Sequence, residues 1–184
     1  GYFQNYKHKL NELSKSTATH STVIIDNNSS CKLRKIGNQS SLIETGLKIL
    51  NKSSIFEKNY WNIVASHNGY LKKYGIIHER KIEFFPENNK FIGTDTLIKK
   101  KNYKSTNFEI RFHLLPTSKI MKTQDSKSIF IEVGNEGWKF TCNNHEINLE
   151  TGLYFGKKSS YIENKNIFIS SMTQNENQNI KWEI

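Results

Sequence analysis

Hydrophobic and polar residues alternate along much of this chain, most regularly between Phe108 and Leu114. Every second residue in that stretch is apolar, and the residues between them are Glu109, Arg111 and His113. A period of two is typical of a β-strand with one face in a core and the other in water. The same period returns along most of the sequence, which predicts an all-β fold.

Turn residues divide the alternating pattern into short segments. The predicted strands are Thr22–Asp26, Leu42–Leu50, Tyr60–Ser66, Ile76–Phe85, Phe91–Ile98, Asn107–Leu114, Ser128–Val133, Trp138–Cys142, Glu146–Leu149, Gly152–Phe155, Ile167–Ser170 and Ile180–Ile184. Asn51–Ser54 is interpreted as a turn, and Asn68-Gly69 as a tight hairpin, because both of its residues tolerate positive φ. Parallel strands would need crossovers of about a dozen residues. We therefore predict antiparallel sheets packed as a β-sandwich, with residues 1–184 forming one domain.

Composition changes this picture in two ways. Hydrophobic residues make up 35% of the chain and aromatic residues 12%, so rings must supply much of the buried area. The net charge of +10 favours polyanionic partners, although lysines solvated on an ordinary surface explain it equally well. Nucleic acid is the weakest candidate, because basic and aromatic residues do not interleave as in a nucleic-acid-binding sheet. No apolar run approaches ~18 residues, so no membrane span is expected.

The two cysteines predict little chemistry. Cys31 and Cys142 have neither CxxC nor His-Cys spacing, so they indicate neither a metal site nor a disulfide framework. Cys142 continues the alternation of Trp138 and Phe140 and is expected to be a small core residue.

Several segments, in order along nearly the whole chain, resemble the C-terminal half of the heparinase II/III family of polysaccharide lyases. Lys15–Val23 (KSTATHSTV) is similar to that family's Arg-x-Thr-Ala-x-His-Asn-Thr-Val segment, with Lys15 and Ser21 in place of the usual Arg and Asn. The other segments are Ser66–Tyr70 (SHNGY), Gly75–Arg80 (GIIHER), Thr94-Asp95, Arg111–Pro116 (RFHLLP), Gly137–Phe140 (GWKF), Leu153–Gly156 (LYFG) and Trp182.

The resemblance implies a larger parent enzyme. Such lyases carry an N-terminal α/α toroid before the β-sandwich region and cut uronic-acid-containing polysaccharides, such as glycosaminoglycans or alginate, by β-elimination. A base removes the proton beside the uronate carboxylate, and an acid protonates the leaving oxygen. The toroid and a preceding His-x-His strand, which carry most of this chemistry in the family, are absent from this sequence. The isolated chain is therefore expected to be inactive, and the parent to be periplasmic or secreted.

The resemblance also implies roles for individual residues. His20 matches a zinc ligand of family members that hold zinc in the sandwich, and the alternative is a histidine hydrogen-bonded at the core edge. Tyr2 and Tyr6 lie where related lyases place an active-site tyrosine, and a phenol with a lowered pKa can transfer the proton. The alternative for both tyrosines is packing at the surface.

A second set of polar residues could contact the polysaccharide. We predict substrate contacts for a set on two strands and one turn: His67, Tyr70, Arg80, Arg111 and His113. The three strands that carry His78, Asp95 and Arg111 are expected to be neighbours. The structural alternative is a hairpin corner covered by Tyr70, with ordinary solvated sheet faces that also include His78 and Asp95. For the whole chain, the functional alternative is a sandwich that binds acidic glycans without catalysis.

Overall fold

The computed structural model describes residues 3, 9–36, 39–142, 144–156 and 160–184, with backbone alone for 35, 36 and 39–45. The helices are α1 (Lys9–Leu13), α2 (Leu71–Tyr74) and the 3-10 turns Thr17–Thr19 and Pro86–Asn88. The strands are β1 (Val23–Ile25), β2 (Lys32–Ile36), β3 (Gln39–Thr45), β4 (Ile49–Glu57), β5 (Tyr60–His67), β6 (Ile76–Phe85), β7 (Lys90–Lys99), β8 (Asn107–His113), β9 (Lys119–Lys122), β10 (Ser128–Val133), β11 (Glu136–Thr141), β12 (Ile147–Tyr154), β13 (Ile162–Met172) and β14 (Gln178–Glu183).

The strands form two large antiparallel sheets and a small hairpin, which confirms the predicted fold class. One sheet has four strands in the order β1-β8-β13-β12, and the other has eight in the order β4-β5-β6-β7-β14-β11-β10-β9. Strands β2 and β3 pair separately. Within the described residues, no helix is long and apolar enough to cross a membrane.

The core lies between the inward faces of the two large sheets. Phe108, Ile110 and Ile167 of the four-stranded sheet are fully buried, in one cluster with Leu97 and Ile129 of the eight-stranded sheet. Burial of each such side chain contributes about 1.5–3 kcal/mol. The alternation from Phe108 to Leu114 is therefore confirmed as the signature of a strand with one buried face.

Aromatic rings join the sheets at the centre of the core. The ring of Phe112 in β8 packs 4.8 Å from those of Phe140 and Trp182 in the opposite sheet. Trp182 is accommodated by Gly93 on the neighbouring strand, because a Cβ at Gly93 would lie only 2.0 Å from the indole ring. Cys142 is 1% exposed, as expected of a small core residue.

Strand prediction is wrong where the polar residues of an exposed strand resemble a turn. Asn51–Ser54 continues β4, and the predicted strand Leu42–Leu50 is divided between β3 and β4. Every residue of β4 is exposed, so neither face requires apolar residues and the alternation disappears. Conversely, the predicted strands Glu146–Leu149 and Gly152–Phe155 merge into β12.

The prediction of a tight Asn68-Gly69 hairpin is also wrong. Strands β5 and β6 do pair, but residues 68–75 connect them through α2, and the positive φ of 67° belongs to Gly75 at the end of that helix. Asn68 is engaged elsewhere: its backbone oxygen accepts from the Leu71 N–H, and its side-chain Oδ1 accepts from the Lys48 N–H. Asn68 therefore starts a helical turn.

Candidate functional site at the junction of the two sheets

A buried carboxylate organises the polar residues of the eight-stranded sheet. Asp95 in β7 is 0% exposed, and its two oxygens accept four hydrogen bonds. Oδ1 accepts from His78 Nε2 and Arg80 Nε, both at 2.7 Å. Oδ2 accepts from Arg80 Nη2 and from the Trp182 indole, both at 2.9 Å. Each lone-pair direction of the carboxylate is therefore used by the protein itself.

The register of the strands explains this cluster. Arg80 lies directly opposite Asp95 in the β6–β7 ladder, and His78 is two residues away on the same face. Burial alone would raise the pKa of Asp95, but the Arg80 charge and the His78 hydrogen bond outweigh it and hold that pKa at about 2. Asp95 is consequently an ionised group that anchors its neighbours.

A hydrogen-bonded chain runs from Asp95 through two histidines. The Gly69 N–H donates to His67 Nδ1 at 3.2 Å, which makes that nitrogen an acceptor and places the proton on Nε2. His67 Nε2 then donates to His78 Nδ1 at 3.2 Å, and His78 Nε2 donates to Asp95. Burial and the neighbouring His78 lower the pKa of His67 to about 4, so the His67 imidazole is neutral at neutral pH.

The loop that carries His20 lies across the junction of the sheets. From the eight-stranded sheet, Arg80 Nη1 donates to the Ser21 backbone oxygen at 2.5 Å. From the four-stranded sheet, the His113 N–H donates to Ser21 Oγ at 3.0 Å, and His113 Nε2 lies 3.1 Å from the Ala18 oxygen. His20 itself is exposed between these anchors. The serine that replaces the family's usual Asn thus has a hydrogen-bonding role beside His20.

A cleft opens beside His113, which contacts this loop. It has a volume of about 330 Å³, and His113 lies on its wall with Leu114, Phe91, Trp138 and other apolar residues. Burial lowers the pKa of His113 below its ordinary value. The junction therefore combines the His113 imidazole with a largely apolar groove large enough for a small ligand.

Arg111 points away from this junction. It lies on the outward face of β8, where its guanidinium donates to Glu109 Oε2 at 2.6 Å and is also paired with Glu150. The Phe168 ring lies 5.9 Å from the guanidinium carbon. The strands of His78 and Asp95, β6 and β7, are neighbours as expected. The expectation is wrong for Arg111, because its strand β8 belongs to the opposite sheet.

Tyr70 occupies a packing position. Its side chain is 1% exposed, and its hydroxyl donates to the Val23 backbone oxygen at 2.9 Å. Burial raises the pKa of this phenol well above its ordinary value. Tyr74 makes a similar tie, with its hydroxyl donating to Asp26 Oδ2 at 2.9 Å. This geometry agrees with the interpretation of Tyr70 as the cover of a corner.

The structure brings some predicted site residues together and separates others. Arg80 contacts Asp95 directly, His67 reaches it through His78, and His113 contacts the loop that carries His20 at Ser21 and Ala18. Tyr2 and Tyr6 lie outside the described residues, so their predicted catalytic role stays a prediction.

Three members of the buried cluster were not among the predicted site residues: His78, Asp95 and Trp182. The interpretation of His78 and Asp95 as part of a solvated face is wrong, because they are 3% and 0% exposed. The Arg80–Asp95 pairing could have been found from an antiparallel register of β6 and β7, whereas nothing local predicts the Trp182 bond.

The described residues do not form a metal centre. They contain no group of three or more His, Cys, Asp or Glu side chains placed to hold an ion. Nε2 of His113, which lies beside the His20 loop, already contacts the Ala18 oxygen. The zinc site implied by the resemblance would therefore need ligands from beyond this part of the chain.

Solved structures with a similar fold include a heparan sulfate lyase and two heparinase III proteins. The heparan sulfate lyase HepC from Pedobacter heparinus matches with a TM-score of 0.74 at 14% identity, over 95% of this chain and 25% of that one. The BT4657 gene product, a heparinase III, matches with a TM-score of 0.70 at 15% identity, over 99% and 26%. A further heparinase III matches with a TM-score of 0.63 at 13% identity, over 92% and 23%.

These similarities establish a shared fold, and the chain spans about a quarter of the length of the proteins it matches. No curated protein matches the sequence. The sequence model described as "Heparinase II/III-like, C-terminal" matches residues 1–183, which is nearly the whole chain. The chain therefore belongs to the heparinase II/III-like family, as its C-terminal domain.

Proposed function

We propose that this domain forms one wall of the active-site cleft of a polysaccharide lyase that degrades an acidic polysaccharide by β-elimination. The observation that carries the proposal is the family match over residues 1–183. The similar solved structures are lyases about four times longer than the region they share with this chain. The rest of the catalytic apparatus would come from an N-terminal toroid, and the parent would act in the periplasm or outside the cell.

The junction of the two sheets supplies the groups that this reaction needs from the sandwich. His20 is exposed on the loop that His113 contacts, and an imidazole there could exchange a proton with a sugar or hold its carboxylate. Tyr6, or alternatively Tyr2, would be the phenol that transfers the proton. Because the described residues do not form a metal site, no step of the proposed reaction is assigned to a metal.

The charge of the chain fits a polyanionic substrate. A net charge of +10 attracts polyanions from solution and raises their local concentration near the domain. Arg80 and Arg111 contribute less than their charge implies, because each is already paired with a carboxylate. This arrangement favours two successive steps: surface lysines attract the polysaccharide from a distance, and residues at the junction then contact it.

The decisive experiment compares this chain with a longer protein that includes the domain encoded before it. Both are incubated with heparan sulfate, chondroitin sulfate and alginate, and the unsaturated uronate is followed by its ultraviolet absorbance. We expect product from the longer protein only. Product from the isolated chain would refute the proposed division of the active site. An inactive longer protein on all three substrates would contradict lyase activity.

A second candidate function is glycan binding without catalysis, and an aromatic row on the eight-stranded sheet favours it. Phe56, Trp61, Phe84 and Phe91 stand opposite one another across β4–β7, with ring centroids 4.3–6.2 Å apart between neighbours. Phe56 is 70% exposed, so one end of the row is open to solvent. Flat aromatic surfaces of this kind can stack against sugar rings.

This candidate is tested by titrating the isolated chain with heparin oligosaccharides. Binding that weakens in Phe56→Ala but persists in Met121→Ala, an equally exposed apolar truncation on β9, would support the aromatic row as a binding surface. Equal binding by all three proteins, with the same dependence on salt, would leave attraction by surface lysines as the explanation.

A further inference from the structure

The loop that carries His20 is held by contacts from both large sheets. It contains the 3-10 turn Thr17–Thr19, followed by His20 and Ser21. The first part is fixed to the neighbouring loop, because the Thr17 N–H donates to Ser29 Oγ at 3.1 Å and the Ser30 N–H donates to Thr17 Oγ1 at 2.9 Å. The last residue, Ser21, is fixed by Arg80 and His113. His20 thus lies between two anchored points while its own side chain stays exposed.

The contact from Arg80 is the one that originates in the buried cluster. Two of its nitrogens are committed to Asp95 in a bidentate pair, which orients the planar guanidinium and directs Nη1 at the Ser21 backbone oxygen. The Phe112 and Trp182 rings lie 5.7 and 5.8 Å from the guanidinium carbon and restrict it further. A lysine could not keep this geometry, because an ammonium lacks the planar fork.

Asp95 in turn cannot move away from Arg80. It is fully buried and is also held by His78 and Trp182, so its position is set by three different strands. The cluster around Asp95 is packed within the sandwich and contacts the loop through the Arg80 guanidinium. Because Asp95 and Arg80 are held in place, this contact gives the loop a rigid support. A fixed support of this kind is what a reacting side chain needs, because displacement by about 1 Å can cost about 10²-fold in rate.

We propose that Arg80, oriented by Asp95, is a positioning residue that fixes the backbone of the His20 loop at the junction of the two sheets. The consequence for catalysis rests on the proposed function, in which His20 acts in the lyase cleft. Arg80 does not touch the polysaccharide in this proposal. The sequence predicted Arg80 as a substrate contact. In this proposal Arg80 acts indirectly instead, by holding the Ser21 backbone oxygen.

The first test measures the loop in this chain. Amide hydrogen exchange of Arg80→Lys is followed by NMR at three N–H groups in or beside the loop. The His20 N–H donates to the Thr17 oxygen, and the Thr22 N–H donates to the His20 oxygen. The His113 N–H donates to Ser21 Oγ. We expect at least tenfold faster exchange at these three amides, with unchanged exchange in β10. Arg111→Lys is the matched control, since it alters an arginine–carboxylate pair with no side-chain contact to the loop.

Unchanged exchange at the three amides in a folded Arg80→Lys protein would overturn the proposal, as would equal acceleration in Arg111→Lys. If Arg80→Lys does not fold, Ser21→Ala replaces it, because that change removes the His113 anchor and leaves the Asp95 cluster intact. Arg80 then still holds the Ser21 backbone oxygen, so exchange at His20 and Thr22 should stay within about twofold of the unmodified chain, and tenfold faster exchange at both would overturn the proposal.

The second test measures catalysis in the longer protein. Arg80→Lys should lower kcat about tenfold or more while KM stays within about twofold, because substrate contacts remain and only the placement of His20 is lost. A raised KM with unchanged kcat would instead make Arg80 a substrate contact. If the longer protein has no lyase activity at all, the proposed function fails, whereas the exchange experiment still decides whether Arg80 fixes the loop.

Discussion

Replacing Asp95 with Asn tests whether the buried cluster stabilises the fold. Asp95 accepts hydrogen bonds from four donors with two oxygens. An amide offers one oxygen and one NH2 group, so in either orientation two of these donors face another donor. Reversing the His78 tautomer does not resolve the conflict, because its Nδ1–H would then point at the Nε2–H of His67.

The magnitude follows from the bonds that are lost. Two hydrogen bonds to a charged group at about 1.5–3 kcal/mol each give about 3–6 kcal/mol. Breaking a buried ion pair by removing one partner costs a similar amount, since the Arg80 charge is left without its carboxylate. The free energy of unfolding of an ordinary domain is about 5–15 kcal/mol, so this loss would be a large part of it.

Urea unfolding followed by tryptophan fluorescence provides the assay. With an m-value of about 2 kcal/mol/M, the midpoint should fall by about 1.5–3 M at unchanged m. Asp26→Asn is the matched control. Asp26 is largely exposed, and an amide oxygen can still accept from the Tyr74 hydroxyl, so its effect should stay within about 0.5 kcal/mol.

A shift for Asp95→Asn no larger than the shift for Asp26→Asn would refute this reasoning. It would mean that the network relaxes or admits water at little cost. A changed m-value would indicate loss of two-state unfolding, and the comparison would then be repeated by thermal unfolding in calorimetry.

Three further predictions follow from the same structure. His67 is held neutral with its pKa lowered to about 4, so protonation favours the unfolded chain as pH drops from about 6.5 to about 4. The free energy of unfolding should fall by about 1–2 kcal/mol over this range, after allowance for solvent screening. A plot of urea midpoint against pH should lose this slope in His67→Gln. Asp95, with a pKa of about 2, should add a separate loss of about 2 kcal/mol as pH falls from about 3.8 towards 2, and urea midpoints for Asp95→Asn should lack that lower step. Gly93→Ala should displace the Trp182 ring and cost about 1–3 kcal/mol in thermal unfolding, whereas Gly137→Ala, where a Cβ meets nothing within 4 Å, should be neutral or slightly stabilising; equal effects would contradict the close packing seen at Trp182.

The sequence by itself determined the fold class and the interior-facing residues of most strands. The predicted strands Ile76–Phe85 and Ser128–Val133 agree with β6 and β10 at both ends. Alternation is readable there because one face of each strand must be apolar. It is unreadable in β4, which is exposed along its whole length, and at Asn68-Gly69, whose hydrogen bonds come from the turn into α2 and from Lys48.

Only the tertiary structure decided which polar residues meet. Sequence spacing places His78 and Arg80 on one face of a strand, but the opposing residue depends on the β6–β7 register, and the Trp182 bond depends on a strand 87 residues away. The same holds for Ser21, whose two anchors come from opposite sheets. Local patterns report which face of a strand is buried, because burial acts on every residue separately. Hydrogen-bond partners across strands are chosen by the packing of the whole chain.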